Sequence, residues 1–159
     1  MSYGFYQDCT GGIVWETAYL LATYLEHHQG DDWRRSTASP TVLELGAGCG
    51  MLGLVLARGG CDVTLTEVPV AMGNLSANTK ACMGGKEGPC PGQVAAQQLR
   101  WDVPEDLEAF GGKAFDLILA TDCVFSKVCT TREASILIDS YPRLVGIGRL
   151  PTSHIPKAQ

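Results

Sequence analysis

Basic clusters, paired cysteines and long apolar runs are all scarce in this chain, and each shortage excludes something. Twelve Lys and Arg against 17 Asp and Glu give a net charge of −5. Without a basic cluster, the chain is a poor candidate for gripping a phosphate backbone by counterion release, so no nucleic-acid partner is expected. The longest apolar stretches are broken by Gly, Glu or Arg, well short of the ~18 residues that a membrane span needs. The opening MSYGFYQDCT has neither a basic start nor an apolar segment, so it does not read as a secretory signal. Cysteines number seven, an odd count, and no Cys-x-x-Cys occurs. His27 and His28 are adjacent rather than spaced as zinc ligands are. Most of the cysteines lie in apolar contexts and read as small, reduced hydrophobes of a cytosolic or nuclear protein. No metal is expected.

What is present is a globular composition. Of 159 residues, 45% are apolar and 18% charged, enough for one domain spanning 1–159 and too little for two. Gly11-Gly12 opens a helical run from Ile13 to Glu26, with Val14, Ala18, Leu21, Ala22 and Leu25 at helical spacing. The polar stretch from Gly30 to Pro40 reads as a loop. Strands are expected at Thr41 to Leu45, Asp62 to Thr66, Val94 to Trp101 and Phe115 to Ala120. Helices are expected at Met51 to Arg58, Val70 to Ala81, Glu105 to Ala109 and Arg132 to Ser140, and a short strand beyond Tyr141-Pro142. Alternation of this kind predicts an α/β fold, a doubly wound and mostly parallel sheet with ligands outside the carboxyl ends of its strands.

The densest signal is TVLELGAGCGMLG at 41–53. Gly48-Cys49-Gly50-Met51-Leu52-Gly53 matches G-x-G-x-x-G, and Glu67 follows at the end of the second strand. Read literally, that is a dinucleotide loop with an acid for the ribose hydroxyls. Glu44 argues otherwise. A pyrophosphate sits on a helix N-terminus because it is an anion, and a carboxylate at the mouth of the strand repels it. S-adenosylmethionine carries no phosphate but has an ammonium and a sulfonium, so Glu44 favours it as the cofactor. The glycines could also serve only to make a tight strand–helix junction.

Five stretches in order, GGIVWETAYLLATYLE, VLELGAGCGMLGLVLA, VTLTE, LRWD and FDLILATDCVF, resemble the family 16 protein methyltransferases, a cytosolic branch of the seven-β-strand lysine methyltransferases. The resemblance covers about Gly11 to Ser126. It implies a Rossmann-like class I methyltransferase core, S-adenosylmethionine as cofactor, and a lysine side chain of a protein as acceptor. By that resemblance Trp15 borders the cofactor, and Gly46, Ala47 and Gly48 contact its methionine and ribose portion. Glu67 takes the ribose-hydroxyl position, where the family commonly has Asp. Trp101 lies beside the adenine, the main chain of Thr121 faces the cofactor, and Asp122 stands next to the transferring methyl as the catalytic residue. On position alone, Trp15 and Trp101 also fit ordinary core packing, and Asp122 fits an N-cap of the next helix.

Two departures qualify the resemblance. Asp122-Cys123-Val124-Phe125 puts Phe where the family's Asp-x-x-Tyr motif has a hydroxyl. The chain also stops near the expected fifth strand, which predicts a sheet incomplete at its C-terminal edge. Core motifs then occupy 11–126 and a divergent tail 127–159, as in a truncated product. Two other readings remain open at this stage: an inactive cofactor-binding remnant and a nicotinamide-dependent oxidoreductase.

Overall fold

The computed structural model describes residues 11–35, 38–85, 88–110, 113–122 and 144–147. In chain order these form α1 (Glu16–Arg35), β1 (Thr41–Leu45), α2 (Met51–Arg58), β2 (Asp62–Glu67), α3 (Met72–Met83), β3 (Val94–Gln98), α4 (Pro104–Glu108), β4 (Leu117–Thr121) and β5 (Leu144–Ile147). The sheet has the order β3-β2-β1-β4-β5, and each neighbouring pair is parallel. This is the expected doubly wound architecture. The order reverses between β1 and β4, and a crevice opens at such a reversal outside the carboxyl ends of the strands.

Strand alternation sorts the core into two layers. Val42, Val63, Leu65, Leu117 and Leu119 lie on one face, under Leu21 and Leu25 of α1, Leu52 and Leu56 of α2 and Leu75 of α3. Leu43, Leu45 and Ile118 lie on the other, with Leu99 and Phe110. Sheets covered on both faces need apolar residues at almost every strand position, and TVLEL and LILAT are built that way. Each fully buried Leu contributes about 1.5–3 kcal/mol.

Several expected boundaries move, each for a local reason. Helix α1 starts at Glu16 and not at Ile13, because Gly11 and Gly12 form a turn and the Ala18 N–H closes the first helical turn on the Trp15 carbonyl at 3.1 Å. It then runs on to Arg35, through residues expected to be a loop. Once nucleated, a helix extends cheaply, and Gly30 alone costs only about 1 kcal/mol there. Helix α3 waits until Met72 because Val68 and Pro69 accept the turn bonds of Ala71 and Met72. Strand β3 ends at Gln98, where the chain turns and Val103 N–H reaches the Arg100 carbonyl at 3.2 Å. Strand β4 begins at Leu117, after Asp116 has tied itself to the Thr41 amide and hydroxyl, both at 2.8 Å. The expected helix at 132–140 and the Phe125 position lie outside the described residues.

Candidate functional site

The carboxyl ends of β1, β2 and β4 bring the expected site residues to one rim. Leu45 pairs with Ala120 and Glu44 with Leu65, so Gly46, Glu67 and Thr121 leave the sheet as neighbours. Gly46 (φ 61), Gly48 (φ 56) and Gly50 (φ 82) are all left-handed, a conformation that glycine adopts without penalty. A side chain at Gly48 would meet only the Gly11 Cα, at 3.9 Å, so there is room beside its backbone. Between these glycines, Ala47 is buried, and its N–H donates to the Thr66 carbonyl at 2.9 Å.

Gly53 has a different task. A Cβ there would fall 2.2 Å from Leu65 Cδ2 and 2.6 Å from Glu44 Oε2. The third glycine of the motif lets α2 lie directly on β2.

Glu44 is not at the mouth of the strand, as its sequence position suggested. It shares the face of Val42, is 2% exposed, and its Oε2 accepts the Gly53 N–H at 2.8 Å. Burial pushes its carboxyl up to about 8, against a partial opposing effect from the Gly53 bond and a further rise from the Glu67 charge. A buried, largely protonated acid does not meet a cationic ligand directly, nor does it repel a pyrophosphate by charge. Instead it occupies an N–H of the first turn of α2, one of the donors on which an anion would sit. Glu67 occupies another: its Oε2 accepts the Gly48 N–H at 3.1 Å while Oε1 accepts the Val68 N–H at 3.0 Å. Two donors of this stretch, at Gly48 and Gly53, are thus answered by carboxyl oxygens, and the Gly50 N–H by the Ala47 carbonyl at 2.7 Å.

The chain before α1 is fastened over this loop. Asn74 Nδ2 donates to the Gly11 carbonyl at 3.1 Å, and Asn78 Nδ2 donates to the Cys49 carbonyl at 2.8 Å. A Cβ on Gly11 would strike the Ala71 Cβ at 2.7 Å, so Gly is needed for the fit. Trp15 is 47% exposed, which rules out the core-packing reading of that residue. Two residues on, the Thr17 hydroxyl donates to Asp122 Oδ2. Asp122 is half-buried and takes the left-handed φ of 48°, which Asp tolerates better than most residues.

Trp101 lies at the exit of β3, half-buried against the cluster of Leu43, Leu45, Leu99, Phe110 and Ile118. Its turn is braced by Asp106, which accepts the Arg100 N–H and Nε–H at 2.8 Å, Nη2–H at 2.9 Å and the Gln98 amide at 3.2 Å. The Arg100 guanidinium and amide hold the Asp106 carboxyl well below the usual carboxylate range. Thr121 is buried at the end of β4.

The structure thus brings Gly46, Ala47, Gly48, Glu67, Thr121 and Asp122 to one edge, with the chain before α1 laid across it. Sequence reasoning missed Asn74, which fastens the overlying segment at Gly11, Asn78, which ties α3 to the glycine loop at Cys49, Thr17, which bonds Asp122, and the bracing pair Arg100 and Asp106. Only the latter, six residues apart on either side of a turn, left a local signal. A depression of about 510 Å³ is at the other end of the sheet, lined by the strand starts at Thr41, Asp62 and Val94. Among the described residues Cys49, Cys61, Cys82 and Cys90 form no disulfide, and no group of three His, Cys, Asp or Glu side chains converges as metal ligands would.

A family model described as lysine methyltransferase matches residues 5–142. The chain belongs to that family. Curated relatives include mouse protein N-lysine methyltransferase METTL21A, 34% identical over 113 residues, covering 71% of this chain and 47% of the relative. Mouse EEF1A lysine methyltransferase 3 is 36% identical over 112 residues, covering 70% of this chain and 43% of that one. The chain therefore spans less than half the length of these two relatives. Among solved structures, the 16S rRNA N2 G1207 methyltransferase RsmC of T. thermophilus, in complex with AdoMet and guanosine, superposes with a TM-score of 0.56 and 27% identity. That match covers 86% of this chain and 34% of RsmC.

Proposed function

We propose that this chain is the cofactor-binding portion of an S-adenosylmethionine-dependent enzyme that methylates a lysine side chain of a protein. The observation that carries the reading is the state of the glycine loop. There is room beside Gly48, yet the Gly53 and Gly48 N–H groups are engaged by Glu44 and Glu67, so these two donors are not left for a phosphate. The cofactor has no phosphate and carries positive charge, and the carboxylates of Glu67 and Asp122 at the same rim suit it. Family membership and the likeness to a methyltransferase in complex with AdoMet support the same reading.

When bound, the cofactor supplies a methyl on a cationic sulfur, which leaves as a neutral thioether when an amine nitrogen takes the methyl. The chain's own residues then have three tasks. Gly46, Ala47 and Gly48 let the backbone close on the ligand, and Glu67 offers its remaining lone pairs to ribose hydroxyls. Trp15 and Trp101 supply apolar walls and exclude water. Asp122 accepts an N–H of the acceptor amine and aligns it. A carboxylate there would raise the pKa of that amine, so Asp122 orients and does not deprotonate. The whole protein is read as a seven-β-strand enzyme of the cytosol or nucleus, with a protein substrate and no nucleic-acid or membrane partner. The acidic balance supports the lack of a nucleic-acid partner, and the odd cysteine count supports a reducing compartment.

Calorimetric titration with S-adenosylmethionine and then with NAD tests the cofactor. Heat with the first and none with the second is expected, and the reverse would sink the proposal. Incubation with labelled S-adenosylmethionine and a cell lysate tests transfer: a labelled band lost on Asp122→Ala, with cofactor binding retained, is the expected result.

A further inference from the structure

We infer that Thr17 is a positioning residue for transfer, fixing the Asp122 carboxylate so that one oxygen is presented to the acceptor amine. The inference rests on the reading above that Asp122 meets that amine. Threonines inside helices ordinarily return their hydroxyl to the carbonyl four residues back. Thr23 does so to Tyr19 at 3.0 Å, and Thr79 to Leu75 at 2.9 Å. Thr17 lies in the first turn of α1, so the residue four back, Ile13, precedes the helix. Its hydroxyl is free to point outward and donates to Asp122 Oδ2, across 105 residues of chain.

The location gives that bond its meaning. Asp122 directly follows β4, beside the reversal of strand order where β1 delivers the glycine loop. Its backbone is in the left-handed region, φ 48°, so the carboxylate is aimed by an unusual main-chain conformation as well as by its own rotamer. A lone Asp carboxylate turns about χ2 with little preference. A hydroxyl bonded to Oδ2 removes that freedom and leaves Oδ1 to accept an amine N–H. Trp15 immediately precedes that turn, and its carbonyl accepts the Ala18 N–H at 3.1 Å. The start of α1 therefore links Trp15 and the Asp122 carboxylate through one turn of chain.

The test compares Thr17→Val, which keeps the shape and removes the donor, with Thr17→Ser, which keeps the donor. Tritiated S-adenosylmethionine with lysate proteins as acceptors gives initial labelling rates at saturating cofactor, and calorimetry gives cofactor affinity. Thr17→Val should label about tenfold more slowly with S-adenosylmethionine affinity within about twofold, as expected for a residue that orients the acceptor and does not hold the cofactor. Thr17→Ser should recover to within about threefold of the unaltered chain. Unchanged labelling by Thr17→Val overturns the inference, as does a Ser variant equally slow, or a loss of cofactor affinity that matches the loss of rate. Absence of labelling by the unaltered chain overturns the transfer reading and this inference with it. The inference fails alone only where the unaltered chain labels its acceptors.

Discussion

Glu44 Oε2 and the Gly53 amide meet inside the core at 2.8 Å, joining the first strand to the first turn of the helix that follows the glycine loop. The carboxyl is 2% exposed and pushed up to about 8 from 4.5. This places a titratable group under the loop with no direct route to solvent.

The first prediction concerns pH. The folded chain holds the Glu44 proton up to pH about 8, whereas the unfolded chain releases it near 4.5. The unfolded state binds fewer protons across that window, so stability falls as pH rises through it. The total across that window is on the order of 5 kcal/mol. Glu44→Gln keeps the shape of the protonated acid and an oxygen for Gly53. In urea melts it should flatten the pH dependence and exceed the unaltered chain in stability at pH about 8. A variant that follows the same slope would show that another group is responsible.

Two glycine-to-alanine changes should move stability in opposite directions. At Gly53 a Cβ would lie 2.2 Å from Leu65 Cδ2, 2.6 Å from Glu44 Oε2 and 2.9 Å from Val63 Cγ1, all of them packed side chains. Gly53→Ala should cost about 1–3 kcal/mol through overpacking, despite alanine's better helix propensity. Gly73 near the start of α3 has nothing within 4 Å of its would-be Cβ. Gly73→Ala should stabilise by about 0.5 kcal/mol. Denaturant midpoints of the two variants check both signs.

Much of this fold is legible in the chain because glycine punctuates it. Gly46 to Gly50 and Gly59-Gly60 bracket α2, and its bounds, Met51–Arg58, are those that the pattern implies. Where punctuation is weak, the pattern misleads: a single Gly30 among polar residues reads as a loop, yet α1 passes through it. The glycine loop illustrates a different limit. Alternation along TVLEL puts Glu44 on the face of Val42, but position in the chain suggests a rim, and only the packing of Gly53 shows that the acid is enclosed. Thr17 and Asp122, 105 residues apart, meet only because β4 is inserted beside β1, and no local spacing encodes that.

The turn that carries Trp101 should depend on Asp106. Its carboxylate takes the Arg100 N–H and guanidinium and the Gln98 amide. The pair is solvent-accessible on the Arg side, at 42% exposure, so its removal should change overall stability little. The local effect is the informative one. In Asp106→Ala, hydrogen exchange at the Arg100 amide should accelerate markedly while amides of β1 and β2 keep their protection. Equal protection of Arg100 in both chains would show that the turn holds without the brace.

Glu67 offers the sharpest division between cofactor binding and folding. Both of its oxygens are already engaged, Oε2 by Gly48 and Oε1 by Val68, and carboxylate oxygens still have lone pairs for further donors. Glu67→Gln retains one acceptor oxygen but loses the charge and puts an NH₂ group opposite one of those amides. Glu67→Ala removes both acceptors. If this carboxylate receives ribose hydroxyls, S-adenosylmethionine affinity should fall about tenfold for Gln and further for Ala, since a hydrogen bond to a charged group is worth about 1.5–3 kcal/mol. Because Gly48 sits at φ 56° and tolerates that conformation without help, the melting temperature should shift far less than the affinity. Calorimetry and thermal melts on the same samples separate the two effects. Affinity lost only in step with melting temperature would make Glu67 a loop staple and not a ligand contact.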